Sequence, residues 1–326
     1  MRARSGALSL PLAGCAGLQS PLAPGGDQSE ALLSLFGLMM WVCGIVYLLV
    51  LAALGWALWR AWRRPTRVAE RDNDDRALDR SLPWAAGAII LGLTVLIVGS
   101  FWADRTLFAT RGQPAWAVRV TGHQWWWRIQ YRDPASGRWI ETANELHLPM
   151  GEVARISLGS ADVIHSFWVP NVAGKLDIIP GRRNILDLTP RRAGWFRGQC
   201  TEFCGTQHAH MAFDVKVETP AAFRAWLATQ HAPAAATSGR GAQVFADACA
   251  ACHVIRGTPA NGHAGPDLTH VAARRSIAAG TLAMTRGNLQ GWIARPQAIK
   301  PGTSMPSVPL RPGDADALSA YLGALR

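Results

Sequence analysis

Two stretches without a single charge constrain this chain more than anything else in it. Residues 31–59 run for 29 positions, and residues 81–103 for 23, with no Asp, Glu, Lys or Arg. A helix needs roughly 20 apolar residues to cross the hydrocarbon of a bilayer, so both runs are predicted to span and to form a hairpin. Trp41, Trp56, Trp59, Trp84, Phe101 and Trp102 lie near the predicted ends or first turns, where aromatic rings settle at the membrane interface. The connection at 60–80 carries seven Arg against five acids, whereas 16–30 has no Lys or Arg. The positive-inside rule then puts the connection in the cytoplasm and both flanks outside. Cys43, in mid-span, reads as a packed thiol.

Residues 1–30 form a leader and extracytoplasmic N-terminus. Two Arg, a short apolar run and small residues ahead of a Cys have the make-up of a bacterial signal peptide. Leu12-Ala13-Gly14-Cys15 matches a lipoprotein box, with Cys15 as the acylated residue; a plain signal peptide, or a leader with an incidental Cys, stays open. The chain is basic, with 33 Lys and Arg against 22 Asp and Glu, and the excess is spread over its segments. No nucleic-acid motif accompanies it and the Arg residues do not alternate with aromatics, so a solvated basic surface is expected and nucleic acid is excluded as a partner. Six Cys are too few for a disulfide scaffold.

Four of those six thiols sit in redox-type motifs. Residues 200–211 read CTEFCGTQHAHM, placing Cys200, Cys204, His208 and Met211 at gaps of four, four and three. Thiolate, imidazole and thioether make a soft donor set suited to copper. Two Cys with a His also serve zinc, which has little use for the Met, and two exported Cys can form a disulfide. A mononuclear blue-copper site would leave one thiol over. Two thiolates bridging two copper ions would use it, given a second His from elsewhere, and His165 in HSFWVP is the candidate.

His165 in HSFWVP followed by Cys200-x-Glu202-x-Cys204-x3-His208-x2-Met211 resembles subunit II of the haem-copper cytochrome c oxidases. The resemblance implies the binuclear copper centre CuA, held by bridging Cys200 and Cys204, terminal His165 and His208, the Met211 sulfur and the backbone carbonyl of Glu202. It further implies that the Glu202 carboxylate reaches a magnesium ion at the boundary with subunit I. In GHQWWWRIQY the family's first Trp is the point where electrons reach CuA, which is Trp125 here; Trp126 and Trp127 are expected to be packing residues. Asp162 matches an acid that helps dock cytochrome c in relatives, although other docking acids are sparse and Arg128 and Arg132 flank the aromatic segment. Asp79 falls near a family acid at a proton pathway, but LDRSLPW departs from that context and a juxtamembrane aspartate is the reading kept.

Residues 104–230 change to short β-type runs: AWAVRV, QWWWRIQY, RWIET, ELHLP, VARISLGS, HSFWVP, RNILDLTP and FDVKVET, punctuated by Pro, Gly, Asn and Asp. That pattern predicts an all-β sandwich or barrel. The resemblance narrows it to a cupredoxin-like Greek-key sandwich with His165 between two strands and 200–211 in the loop before the last. His123, His147 and His210 are expected to be ordinary satisfied histidines.

After a linker at 231–238, HAPAAATS, residues 239–326 contain Cys249-Ala-Ala-Cys252-His253. C-x-x-C-H is the attachment signature of c-type haem, with His253 as proximal iron ligand. GPDLTHV supplies Pro266, resembling the loop over the proximal His in class I cytochromes c, an all-α fold. For the second axial ligand Met305, in KPGTSMPSVPL, matches the class I context, while Met284 is expected in the core; His263 and His270 rank lower.

Together these segments read as a multi-domain membrane protein whose sheet and cytochrome domains lie on the periplasmic side of a bacterial inner membrane. The resemblance implies the electron-input subunit of an aerobic terminal oxidase with a fused cytochrome c. The expected path runs from a donor, such as a cytochrome c or a quinol–cytochrome c reductase, to haem c, to CuA near Trp125, and on to subunit I, where oxygen is reduced; subunit III completes the partners. A tethered donor replaces diffusion by a high effective concentration. The alternatives are a nitric oxide reductase-type complex fed through CuA, and a membrane-anchored copper carrier.

Overall fold

The computed structural model describes residues 17–63, 75–108, 113–235 and 237–326. Cys15 and the middle of the Arg-rich connection lie outside the described residues. The chain divides into two compact units, one running from Glu30 to Ala109 and the other comprising Met1–Ser29 with Thr110–Arg326.

The first unit is the predicted hairpin. Helices α1 (Asp27–Arg63) and α2 (Asp75–Phe108) are each long and apolar enough to cross a membrane. Both outrun the uncharged stretches at their ends. The two helices meet where side chains are smallest, Gly99 against Leu38 and Gly92 near Val42. Arg60 and Arg63 close α1 with guanidinium groups 5.1 Å over Trp56 and 4.6 Å over Trp59.

The second unit begins with two five-stranded sheets. Their strands are β1 (Trp116–His123), β2 (Trp126–Arg132), β3 (Trp139–Ala143), β4 (Glu145–Pro149), β5 (Ala154–Ser160), β6 (His165–Trp168), β7 (Leu176–Ile178), β8 (Asn184–Leu188), β9 (Gly194–Cys200) and β10 (Ala212–Glu218). One sheet has the order β3-β2-β1-β5-β8, the other β4-β10-β9-β6-β7. The pairs β1–β5 and β4–β10 are parallel and the remainder antiparallel. Period-two burial explains the layers: Val118 and Val120 on β1, Trp127, Ile129 and Tyr131 on β2, and Ile156 and Leu158 on β5 all point inward. They meet Leu146, Leu148, Phe167, Phe213, Val215 and Val217 from the facing sheet, which closes a cupredoxin-like sandwich.

Two strands and one helix go beyond the sequence reading. β7 is three residues long, and β9 buries Phe196, Gly198 and Cys200, a face too small and polar to read as a strand. Helix α3 (Pro220–His231) starts at Thr219, whose side chain accepts the Ala222 N–H, and has Pro at its first turn. It seats Phe223 against Trp116 at 4.7 Å between ring centroids. His165 opens strand β6, paired with Ile178, and does not lie between strands as expected. Edge pairing with β7 extends the ladder far enough to include it.

The helical module contains α4 (Arg240–Ala248), the short pair β11 (Ser276–Ile277) and β12 (Leu282–Ala283), α5 (Arg286–Ala294), α6 (Pro296–Ile299) and α7 (Asp314–Gly323). Val244, Phe245, Leu289, Ile293, Leu318 and Leu322 form its core. The segment leading into it is tied down. Ala234 N donates to Arg256 O at 3.0 Å, Arg256 Nη2 to Gln230 O at 2.8 Å, and His270 Nε2 lies 3.1 Å from Ala232 O. The N-terminal stretch is pinned too: Asn171 Nδ2 donates to Ala23 O, Gly25 N donates to Asn171 O, and Asp27 pairs with Arg191.

On the sheet face opposite the first layer, His147 lies between two carboxylates. Its Nδ1 is 2.7 Å from Glu218 and its Nε2 3.0 Å from Glu145, with Trp226 stacked at 3.8 Å. Burial favours the neutral ring, but the hydrogen bonds from Glu145 and Glu218 outweigh it and raise the His147 pKa. Breaking such a buried arrangement costs roughly 3–5 kcal/mol. Because the folded pKa is raised, this stabilisation is complete below the unfolded value near about 6.5 and is lost as pH rises through the folded one. The difference in thermal midpoint between wild type and His147→Gln, measured on the purified chain in detergent, is therefore expected to be largest under mildly acidic conditions and to shrink with rising pH. A difference that grew with pH would contradict the imidazolium.

Candidate copper and haem sites

The copper-type donors converge at one end of the sandwich, and β6 and β9 bring them there. Cys200 is the last residue of β9 and faces Phe167 of β6 across the ladder. The chain then loops through a 3-10 turn at His208–His210 before β10. Cys200 Sγ and Cys204 Sγ lie 3.7 Å apart as free thiols, far beyond the roughly 2.05 Å of a disulfide. Each faces its own imidazole: His165 Nδ1 is 3.8 Å from Cys200 Sγ, and His208 Nδ1 is 3.5 Å from Cys204 Sγ. Met211 Sδ stands 3.7 Å from Cys204 Sγ, and the Glu202 carbonyl 3.2 Å from Cys200 Sγ. All six predicted donors are thus in one place. His165 and Met211 are wholly buried, and Cys200 and Cys204 are 1% and 2% exposed.

The orientation of these groups is set by their neighbours. Asp162 Oδ1 holds His165 Nε2 at 2.8 Å, which leaves Nδ1 for the sulfur side. The same carboxylate accepts Gln124 N and Val163 N. Gly122 packs against the His165 ring without a side chain, and a Cβ there would come within 2.8 Å of Cδ2. The Cys204 carbonyl accepts two side-chain N–H groups, Gln124 Nε2 at 2.8 Å and Trp125 Nε1 at 2.9 Å. The Cys204 thiol, donating to Cys200, lowers the Cys200 pKa to about 4 against the pull of burial, with help from His165. Cys204 is pushed up by the same contact and by burial. Trp126 is half-buried and stacks on His123, 4.5 Å away, while Trp127 is wholly buried.

The second site is a cavity inside the helical module with one wall from the sandwich. Cys249, Cys252, His253, Pro266 and Met305 line it, together with Phe245, Leu289 and Leu322 from the module's core. Gln124, Trp125, Trp126 and Asn144 line it from the sandwich side. His253 Nδ1 lies 2.8 Å from the Pro266 carbonyl, so Nδ1 carries the proton and Nε2 is left as a ligand atom. Gly265 allows that contact, since a Cβ would lie 2.4 Å from His253 Cε1. Burial lowers the His253 pKa and raises that of Cys249 to about 11.

Met284 packs on the core of the module and does not line the cavity. His263 gives its carbonyl to Arg128 Nη2, and His270 is buried against Ala232 O. His210 Nδ1 is held by Gln207 Oε1 at 2.8 Å. Gln124 and Gln297 escaped the sequence reading. Gln297 Nε2 donates to Thr303 O and Met305 O, and its Oε1 accepts Gly302 N, which fixes the loop carrying Met305. No motif marks either glutamine; only the folded loops do.

Comparison with known proteins identifies the family. The family described as cytochrome c oxidase subunit II, periplasmic domain, matches residues 133–218, and the cytochrome c family matches 238–326. The chain is similar to cytochrome c oxidase subunit 2 of Alkalihalophilus pseudofirmus, 33% identical over 98% of this chain and 95% of that one. It is 30% identical to the Bacillus subtilis protein of the same name over 73% of this chain and 71% of the other. Among solved structures, the periplasmic domain of subunit II of cytochrome oxidase from Bradyrhizobium japonicum is 32% identical, covering 37% of this chain and 96% of its own at a TM-score of 0.34. This chain belongs to the cytochrome c oxidase subunit II family, an oxidoreductase family, and carries a cytochrome c domain after its copper-type domain.

Proposed function

We propose that this chain is the electron-input subunit of a bacterial aerobic terminal oxidase. It is held in the cell membrane by α1 and α2, with the sandwich and the helical module on the extracytoplasmic side. Electrons arrive from a donor such as a cytochrome c or a quinol–cytochrome c reductase and leave to subunit I, which reduces oxygen to water; subunit III accompanies it. The observation that carries this reading is the meeting of two free thiols, each with its own imidazole, and a thioether beside a cavity that holds a C-x-x-C-H motif.

Both donor sets fit their groups. Two sulfurs, two imidazoles, a thioether and a carbonyl suit a copper pair sharing both thiolates. An apolar cavity with an imidazole, a thioether and two thiols suits haem c joined at Cys249 and Cys252, with His253 and Met305 on the iron. When bound, each centre takes up and releases one electron. Residues of this chain hold the geometry fixed meanwhile: Asp162 orients His165, the Pro266 carbonyl orients His253, and Gln124 and Trp125 hold the Cys204 carbonyl. Burial keeps water from His165, Cys200, Cys204 and Met211, and anchoring on sheet ends limits rearrangement as charge changes. Trp125 and Gln124, each one hydrogen bond from the Cys204 carbonyl and part of the cavity wall, are residues through which the two sites adjoin. Glu202 is exposed beside Phe203, itself 74% exposed, and its carboxylate is free to take a hard cation such as magnesium at the boundary with subunit I.

A copper carrier needs ligands that exchange, and donors this deeply buried argue against one. Family membership favours oxygen as the terminal acceptor over nitric oxide. Metal analysis with EPR on the detergent-purified complex tests the reading. A copper pair per chain with a mixed-valence signal, plus haem that survives acid-acetone extraction, is expected; one copper or zinc with no retained haem would overturn it. Met305→Leu is expected to abolish the sulfur-to-iron absorption of the ferric haem, and Met284→Leu to leave it intact. The opposite pattern would move the axial role to Met284.

A further inference from the structure

Lys300 is the strangest buried group in the chain. It follows α6, is 2% exposed, and points away from its own core into the sandwich. Its ammonium donates to three backbone carbonyls: Trp125 O at 2.6 Å, His210 O at 2.8 Å and Ala278 O at 3.4 Å. The first two belong to the sandwich, at the tryptophan beside Cys204 and within the copper-ligand loop. The third belongs to the helical module. A buried ammonium is costly unless its donors are matched, and here three carbonyls from two modules match all three.

The backbone around it is bent to supply them. Ala278 and Ala279 both take left-handed conformations, φ 52° and 57°, which non-glycine residues adopt at a cost. That double turn aims Ala278 O at Lys300 and Ala279 O at Ala212 N, the first residue of β10, at 3.1 Å. Further bonds cross nearby: Gln207 Nε2 to Pro301 O at 2.8 Å, Arg275 N to Glu145 Oε2 at 2.7 Å, and Ser304 Oγ to Gln124 O at 3.4 Å. The loop that starts at Lys300 ends at Met305, five residues on, inside the haem-type cavity.

We infer that Lys300 is a positioning residue that clasps the helical module onto the copper-ligand loop, so that the two sites are held in one fixed register and are not joined by a slack tether. The clasp itself stands on geometry alone; its effect on electron transfer rests on the electron-input reading above.

The test uses the full chain in its purified complex, comparing wild type, Lys300→Met and Lys300→Arg. Hydrogen exchange at the Ala212 and Arg275 amides reports the clasp whatever the metals do. In Lys300→Met exchange at both is expected to rise at least about tenfold as the contact opens locally, and in Lys300→Arg, which keeps the charge and N–H donors, to rise less. Haem-to-copper transfer after rapid haem reduction is expected to slow in the same order, while the haem absorption and copper EPR spectra stay unchanged. Equal exchange in all three chains, or equal loss in both variants, would overturn the clasp. Altered exchange with unaltered transfer would keep the clasp and overturn its link to the electron-input reading. If Lys300→Met does not fold, a protease site placed within 231–238 of the otherwise unchanged chain decides. Modules that stay together after cleavage support the clasp, and modules that separate on a sizing column refute it.

Discussion

Trp127 is the contact on which the copper end of the sandwich depends. Its ring is wholly enclosed, 5.3 Å from Phe213 and 6.1 Å from both Phe167 and His165 by ring centroids, and its indole N–H reaches the Met211 carbonyl. One side chain therefore fills the space between the sheets and contacts two donors, His165 on β6 and Met211 at the end of the loop before β10. Close packing of this kind transmits small displacements and does not absorb them. A donor set that must keep its shape through a change of charge is best hung on such a core.

Much of this was legible from residue types and spacing. The uncharged runs marked the two membrane helices, alternation marked most strands, and Cys200, Cys204, His208 and Met211 marked one half of the copper site. The surplus thiol called for a second His and made His165 the candidate, a choice the family likeness supported, although nothing local says that a histidine 35 positions upstream will arrive at a thiol. β9 was missed because its buried face is Phe-Gly-Cys, and α3 because a strand-like run leads straight into it, although Thr219-Pro220 is a helix start. Asp162 was singled out as a docking acid and not for its hold on His165, and Gln124, Gln297 and Lys300 were out of reach for another reason. Each acts by a hydrogen bond to a distant carbonyl, ring nitrogen or amide, and a polar residue that will be buried looks in sequence like one that will be solvated.

The segment before α4 shows the same limit. Ala, Pro and Ser without periodicity describe a tether, yet its backbone is bonded to the helical module, and that module to the sandwich. Effective concentration is the right measure for two bodies exploring the length of a linker. Bodies joined by buried hydrogen bonds are described better by one distance than by a concentration, a relation that composition does not carry.

Five of the six copper-type donors lie within residues 200–211, and the pairing of β6 with β9 brings the sixth, His165, to them. The complete donor set therefore exists only once the sandwich has closed. Cys249, Cys252 and His253 are the reverse: three neighbours in sequence, recognisable before anything has folded. The two sets of residues thus differ in what folding adds to them: the C-x-x-C-H run is contiguous even in the extended chain, whereas the copper-type pocket gains its second imidazole only in the closed sandwich.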